Sequence, residues 1–211
     1  MQPFDIFQII ILIFSVVLHE VAHGYMANYL GDPTARLQGR LTLNPLKHLD
    51  PIGSVVLPLM LKLTGSPVLI GYAKPVPYNP YNLKGRYDEA LVAFAGPGTN
   101  ILLALIFGLA IRFFGEVLDP SLLVAFAIIA SINIMLAIFN LIPLPPLDGS
   151  KILSILLPSP LAAGYERFRF AFERLGIFGG VLLLLFLFFF LMPYFVATIQ
   201  FFFGLLTGLS L

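Results

Sequence analysis

The first apolar stretch of the chain decides its class, and over residues 4–29 it reads FDIFQIIILIFSVVLHEVAHGYMANY. As an α-helix, its 26 residues extend about 39 Å, which exceeds the roughly 30 Å hydrocarbon thickness of a bilayer. The 211 residues of the chain are 59% hydrophobic and only 11% charged, with a mean hydropathy of +0.95. Because soluble domains carry about 25% charged residues, this composition excludes a water-soluble globular protein and predicts an all-α polytopic membrane protein.

Further apolar stretches follow the first one. Residues 87–114 and 122–141 are each long enough to span a bilayer. Residues 177–209 are also apolar but contain Pro193, so we expect either one kinked span or two short elements there. By contrast, the 14 apolar residues 51–64 reach only about 21 Å as a helix. That length is typical of a re-entrant segment rather than a span.

The segments between the spans suggest a small amount of other structure. Residues 34–44 alternate polar and apolar side chains around Gly39, which predicts short β-strands at the membrane surface. Residues 71–85 are rich in Pro and Tyr, so they are predicted to be irregular or extended. The expected fold has about four to six transmembrane helices, a re-entrant segment and a small membrane-associated β element. Residues 1–211 are expected to form a single membrane-embedded domain with its core over residues 4–152.

The distribution of charge predicts the orientation of the chain. If residues 51–64 do not cross, the loops 31–49, 65–87 and 142–176 share one face, which then holds ten of the twelve Lys and Arg residues. The positive-inside rule places that face in the cytoplasm and the N-terminus outside, as in a prokaryotic plasma membrane. The net charge of +1 gives no reason to expect a nucleic-acid partner. The ten residues are Arg36, Arg40, Lys47, Lys74, Lys84, Arg86, Lys151, Arg167, Arg169 and Arg174.

A possible metal motif, HEVAH over residues 19–23, lies inside the first span. Side chains at positions i and i+4 share one helix face, so both imidazoles can bind one metal ion while Glu20 lies beside them. His19 lies about 22 Å along the helix from Phe4, within the hydrocarbon zone, where ionisable groups are costly and usually functional. Because the chain contains no cysteine, any metal must rest on His and carboxylate ligands.

A catalytic zinc ion usually takes three protein ligands and keeps one position for water. Four residues are candidates for the third ligand: His48, Asp50, Asp148 and Glu89. Asp148 follows a proline-rich break in the chain and precedes Gly149, which leaves room for a close approach. On the predicted topology it lies on the cytoplasmic side, towards which the two histidines also lean. His48 and Asp50 fit equally well a pair beside the site and an interfacial turn.

The motifs resemble those of the site-2 protease family of intramembrane zinc metalloproteases, in a short form without a PDZ domain. The resemblance covers roughly residues 8–152, and its further matches are NLIPLPPLDG over residues 140–149, NPLKHLDP over residues 44–51 and GPGTN over residues 96–100. It implies that His19, His23 and Asp148 hold Zn²⁺ and that Glu20 is the general base towards zinc-bound water. It also implies that Asn140 hydrogen-bonds the substrate or the developing oxyanion, and that the substrates are transmembrane proteins.

Two other functions remain as alternatives at this point. A divalent-metal (zinc) transporter also carries His and Glu in its helices, but the outer halves of these spans contain no carboxylate or imidazole. A non-catalytic zinc protein of the membrane is the second alternative. If it only bound membrane helices, it would have no need of Glu20 and Asp148. Among the remaining residues, Asn100 is expected to form an interhelical hydrogen bond. The Phe runs at residues 188–190 and 201–203 are expected to face lipid or to gate the site.

Overall fold

The computed structural model describes residues 3–50, residue 60 and residues 74–209. The chain divides into two compact units, Met1–Lys84 and Gly85–Leu211. In the described ranges, the helices long and apolar enough to cross a bilayer are Ile6–Tyr29, Asp88–Phe114, Pro120–Leu141 and Phe189–Thr207. This finding confirms the helical class and fits a multi-pass membrane protein. The predicted re-entrant segment, residues 51–64, lies outside the described residues apart from Met60.

Helix α1 (Pro3–Tyr29) forms the long element of the first unit, within one residue of its predicted start. The helix ends where Gly31 adopts a left-handed conformation, with φ of 108°. The Asp32 N–H then donates to the Ala27 carbonyl at 2.9 Å. Glycine is the residue that most readily ends a helix in this conformation, so the sequence sets the end of α1 locally.

The prediction of short strands over residues 34–44 is wrong. Thr34–Leu37 instead forms a short helix, α2, and the residues from there to Asn44 run through turns without forming a strand. The cause is local, because the Asp32 carboxylate accepts hydrogen bonds from the Thr34 N–H at 3.2 Å and from the Thr34 hydroxyl at 2.6 Å. An Asp-Pro-Thr sequence of this kind starts a helical turn, and that preference outweighs the alternating pattern.

Two Asn-Pro sequences shape the rest of the first unit. Asn44 and Asn79 each accept a hydrogen bond at 3.1 Å from a backbone N–H two residues later. Each therefore starts a 3₁₀ turn, Pro45–Lys47 and Pro80–Asn82. Residues 74–79 between these turns have no regular structure, as predicted.

The described part of the second unit is mostly helical, with short turns and loops between its helices. Its helices are α3 (Asp88–Phe114), α4 (Pro120–Leu141), α5 (Asp148–Leu156), α6 (Ser159–Glu173), α7 (Ile177–Phe186) and α8 (Met192–Thr207). A π-helical segment, Leu187–Leu191, joins α7 to α8, so the backbone stays helical across the C-terminal apolar region. The irregularity precedes Pro193, which has no N–H for a helical hydrogen bond and commonly distorts a helix at this point.

The core of the second unit lies where α3, α4 and α8 pack together. Its buried side chains are Ala104, Ala130, Ile134 and Phe203. Phe203 is 2% exposed, so it belongs to this core rather than to the lipid-facing or gating set in which the sequence placed it. The predicted interhelical bond of Asn100 is confirmed, because its amide nitrogen donates to Asn133 Oδ1 at 2.8 Å. Both amides are fully buried.

Candidate active site

The two histidines of the HEVAH motif converge on one face of α1. Both side chains are buried, and His19 Nε2 lies 3.0 Å from His23 Nε2. Two nitrogens bound to one tetrahedral zinc ion, each at about 2.0–2.1 Å, lie about 3.3 Å apart. The spacing of this donor pair therefore fits a shared zinc ion after an adjustment of a few tenths of an ångström.

Glu20 lies between the histidines in sequence and is half-buried. Its carboxylate oxygen Oε2 accepts a hydrogen bond from the Val76 backbone N–H at 2.9 Å. A carboxylate has two oxygens and about four lone-pair sites. One oxygen can thus be held by the protein backbone while the other takes part in proton transfer.

The backbone of residues 74–76 is held in turn by the loop that follows α2. The Lys74 N–H donates to the His48 carbonyl at 2.8 Å. Arg40 Nη2 donates to the carbonyl oxygens of Lys74 at 2.9 Å and of Pro75 at 3.3 Å. These bonds fix the peptide that contacts Glu20.

Gly24 lets the same segment pack close to α1. A Cβ atom at Gly24 would lie 2.6 Å from Leu41 Cδ2 and 2.7 Å from Val76 Cγ1. Such distances are too short for carbon atoms in contact. The glycine directly after His23 therefore allows Val76 to reach the helix beside the motif.

Asp32 holds the segment that follows Val76 by hydrogen bonds to Asn79 and Asn82. Its buried carboxylate accepts hydrogen bonds from the Asn79 N–H at 2.7 Å and from the Asn82 amide at 2.6 Å, in addition to the two bonds from Thr34. Burial alone would raise the pKa of this carboxyl. The hydrogen bonds of Thr34, Asn82 and Asn79 outweigh burial, so the pKa of Asp32 lies below its ordinary value of 3.8.

His48 has a structural position in the first unit. Its ring is 1% exposed, and Nε2 lies 2.8 Å from the Thr42 carbonyl oxygen. A carbonyl only accepts hydrogen bonds, so Nε2 carries the proton. His48 also ends the 3₁₀ turn Pro45–Lys47. These contacts support the turn interpretation for His48, whereas a site role for Asp50 stays a prediction.

Asn140 and Asp148 flank the proline-rich break in the second unit. Asn140 Nδ2 donates to the Leu136 carbonyl of its own helix at 2.9 Å. Asp148 is the first residue of α5, where a negative charge interacts favourably with the helix dipole. A Cβ atom at Gly149 would lie under 3 Å from the carbonyl oxygens of Leu141 and Ile142. The close approach predicted for Gly149 is therefore confirmed.

Sequence reasoning missed the residues that hold Glu20. Val76 contributes a backbone N–H, which any residue but proline carries, so its type gives no signal. In the sequence Arg40 is one of several basic residues of a loop, and its partners lie 34 and 35 residues further along the chain. The available signal was the sequence Pro75-Val76-Pro77, in which a single N–H stands between two residues that have none.

Comparison with known proteins gives a consistent result. The family model described as Peptidase family M50 matches residues 110–187, a range that includes Asn140 and Asp148. The protein named "Putative zinc metalloprotease YwhC" of Bacillus subtilis is 40% identical over 164 residues, which cover 74% of this chain and 71% of that protein. The protein named "Putative zinc metalloprotease Rip2" of Mycolicibacterium smegmatis is 33% identical over 139 residues, 64% of this chain and 51% of that protein. No solved structure matches the chain.

The paired histidines within a membrane-length helix, taken with these relatives, define the class of zinc metalloproteases. Within that class, the chain belongs to peptidase family M50, the site-2 protease family. Zinc is accordingly its expected cofactor.

Proposed function

We propose that this chain is an intramembrane zinc metalloendopeptidase that hydrolyses peptide bonds in or near the transmembrane segments of other membrane proteins. One observation carries the proposal: two buried imidazoles present their Nε2 atoms 3.0 Å apart inside an apolar helix of membrane-spanning length. A buried pair of this spacing in such a helix suits metal binding at depth in the membrane.

In this proposal His19 and His23 hold zinc through Nε2, and Asp148 is the third ligand. The assignment of Asp148 rests on the family motif and on its place at the start of α5, next to a glycine that brings the backbone close to the end of α4. When bound, the zinc ion supplies a Lewis acid that lowers the pKa of a coordinated water towards about 7.

Glu20 acts as the general base. Because Val76 holds Oε2, we assign proton transfer to the other oxygen, Oε1. That oxygen takes a proton from the attacking water and later delivers it to the nitrogen of the leaving amine. The hydrogen bond from Val76 keeps the carboxylate in one orientation through both transfers.

Asn140 is the proposed donor to the developing oxyanion. Its side-chain amide has two N–H bonds, and one of them serves the Leu136 carbonyl. The second is available for the substrate, and a donor of this kind stabilises the transition state of acyl transfer. The bond to Leu136 fixes the orientation of the amide without occupying both hydrogens.

The substrate must unwind before it is cleaved, since a transmembrane helix protects its own carbonyl groups. The distribution of basic residues supports an orientation with the N-terminus outside and the active site towards the cytoplasm.

Zinc content tests the assignment before any substrate is known. We expect one zinc ion per chain in detergent for the wild type, for Glu20→Gln and for His48→Ala, and loss of zinc in Asp148→Ala. His48→Ala is the matched control, because it removes a buried imidazole that we place outside the ligand set. Zinc that persists in Asp148→Ala but disappears in His48→Ala would contradict the ligand assignment.

Catalysis is then tested with fluorescein-labelled casein in detergent micelles, an unfolded probe that needs no helix unwinding. The wild type should cleave it, and Glu20→Gln should lose cleavage while keeping its zinc. Zinc-dependent cleavage that survives in Glu20→Gln would contradict the role of the base. Uptake of zinc into proteoliposomes without proteolysis would favour a transporter.

A further inference from the structure

A single peptide unit connects Arg40 to the Glu20 carboxylate. The carbonyl of Pro75 and the N–H of Val76 belong to the same peptide group, and in a trans peptide they point in opposite directions. Arg40 Nη2 donates to that carbonyl at 3.3 Å, while the N–H donates to Glu20 Oε2 at 2.9 Å. The guanidinium therefore holds one side of the group whose other side holds the carboxylate.

The sequence isolates this N–H from its neighbours. Pro75 and Pro77 have no N–H, so Val76 carries the single backbone donor of the three residues. The prolines also restrict the backbone to extended conformations. The result is a stiff segment that presents one donor, and Glu20 receives it.

Arg40 is buried, which indicates that its hydrogen bonds to the carbonyls of Lys74 and Pro75 have a specific role. Its side chain reaches into the unit from the turn after α2, and the residue is 8% exposed. Within the described ranges no carboxylate lies within ion-pair distance of it, and its Nε has no hydrogen-bond partner. A buried guanidinium without a carboxylate is costly. Here its charge is directed at the carbonyls of Lys74 and Pro75.

We propose that Arg40 is a positioning residue for the general base, acting on Glu20 through the Pro75–Val76 peptide. The charged donor fixes the orientation of the peptide and polarises it, which strengthens the hydrogen bond from the N–H on its far side. Glu20 is thereby held with Oε2 bound and Oε1 directed to the reaction. The inference rests on the role proposed above for Glu20.

The test compares Arg40→Gln with Arg36→Gln, a control that removes the same charge from an exposed position in α2. With fluorescein-labelled casein as the probe, Arg40→Gln should lower kcat about 10- to 100-fold, the range expected when a catalytic group is displaced by an ångström or less. KM and the zinc content should stay within twofold of the wild type. Arg36→Gln should leave kcat, KM and zinc content unchanged. An equal loss of kcat in both variants, or a loss confined to KM, would overturn the proposal.

Two additions keep the result interpretable. In Arg40→Lys, which keeps the charge and one donor but not the planar fork, kcat should fall between those of the wild type and Arg40→Gln. Should Arg40→Gln fail to fold, a kcat for Arg40→Lys equal to that of the wild type would overturn the proposal.

A measurement without catalysis separates this proposal from the proposed function. The infrared carboxylate band of Glu20 is obtained as the spectrum of each protein minus that of the same protein carrying Glu20→Gln. This band should shift in Arg40→Gln or Arg40→Lys and stay in place in Arg36→Gln. An unshifted band in the Arg40 variants overturns the positioning role even if the enzyme is active. A shifted band in a protein that does not cleave casein supports the positioning role while the proposed function fails.

Discussion

Replacing Asp32 by Asn should release the segment that holds Glu20. Asp32 accepts four hydrogen bonds from Thr34, Asn79 and Asn82, and its carboxylate is fully buried. Asn offers one oxygen and turns an amide N–H₂ towards a backbone or side-chain donor. One buried donor left without an acceptor costs about 1–3 kcal/mol. The remaining hydrogen bonds also weaken, because their acceptor is no longer charged. The total loss of stability at this site is about 2–4 kcal/mol.

The assay uses the absence of cysteine in the chain. A single thiol introduced by Val76→Cys, at a position that is 5% exposed, reports local opening of residues 74–82 through its labelling rate. Since each 1.4 kcal/mol is a factor of ten, Asp32→Asn should speed labelling roughly 30- to 700-fold when opening precedes labelling.

Asp119→Asn is the matched control for this experiment. Asp119 also accepts hydrogen bonds from a neighbouring residue, the N–H and hydroxyl of Ser121, but at the exposed start of α4, where Asn caps a helix equally well. Labelling should not change in this variant. A rise of less than threefold in Asp32→Asn would refute the conclusion that Asp32 fastens the segment.

Two further predictions concern Gly149 and pH. Gly149→Ala places a Cβ atom against the carbonyls of Leu141 and Ile142. The variant should therefore be less stable by about 1–3 kcal/mol and should lose zinc. Unchanged unfolding in dodecyl sulfate together with full zinc content would contradict this. Because the pKa of Asp32 is lowered below 3.8, its stabilisation is complete at neutral pH and is lost as the pH falls through the folded-state pKa. The free energy of unfolding, measured from pH 7 to 3, should therefore be higher for the wild type than for Asp32→Asn, and this difference should shrink only below about pH 4. A difference that shrinks near pH 6 would show that another group is responsible.

The helices and the histidine pair could be predicted because their causes are local in sequence. The apolar length of α1, the glycine at its end and the i, i+4 spacing of His19 and His23 all lie within about thirty residues. Asn100 was also predictable, since a buried amide in an apolar span must find a partner. What could not be predicted is which partner, because Asn133 lies 33 residues away on another helix.

The contacts around Glu20 could not be predicted from the sequence either, because their partners also lie far apart along the chain. The bond from Val76 to Glu20 joins residues 56 positions apart, and nothing in a single sequence pairs them. The helical start at Thr34 is not what the alternating pattern of residues 34–44 predicts, because the preference of Asp32-Pro33 for a turn outweighs that pattern. Long-range pairing and competition between local signals thus account for most of what the sequence did not show.

The buried Asn100–Asn133 pair also limits how this protein can move. Sliding α3 along α4 by one residue would break the hydrogen bond between the two fully buried amides, and the loss of a buried hydrogen bond is expensive. The Asn133 amide also donates to the carbonyl of Ile129 in its own helix at 2.8 Å, which keeps its oxygen turned towards Asn100. Helices α3 and α4 are therefore expected to move as one rigid body, so any separation of helices in this unit should occur along another helix boundary.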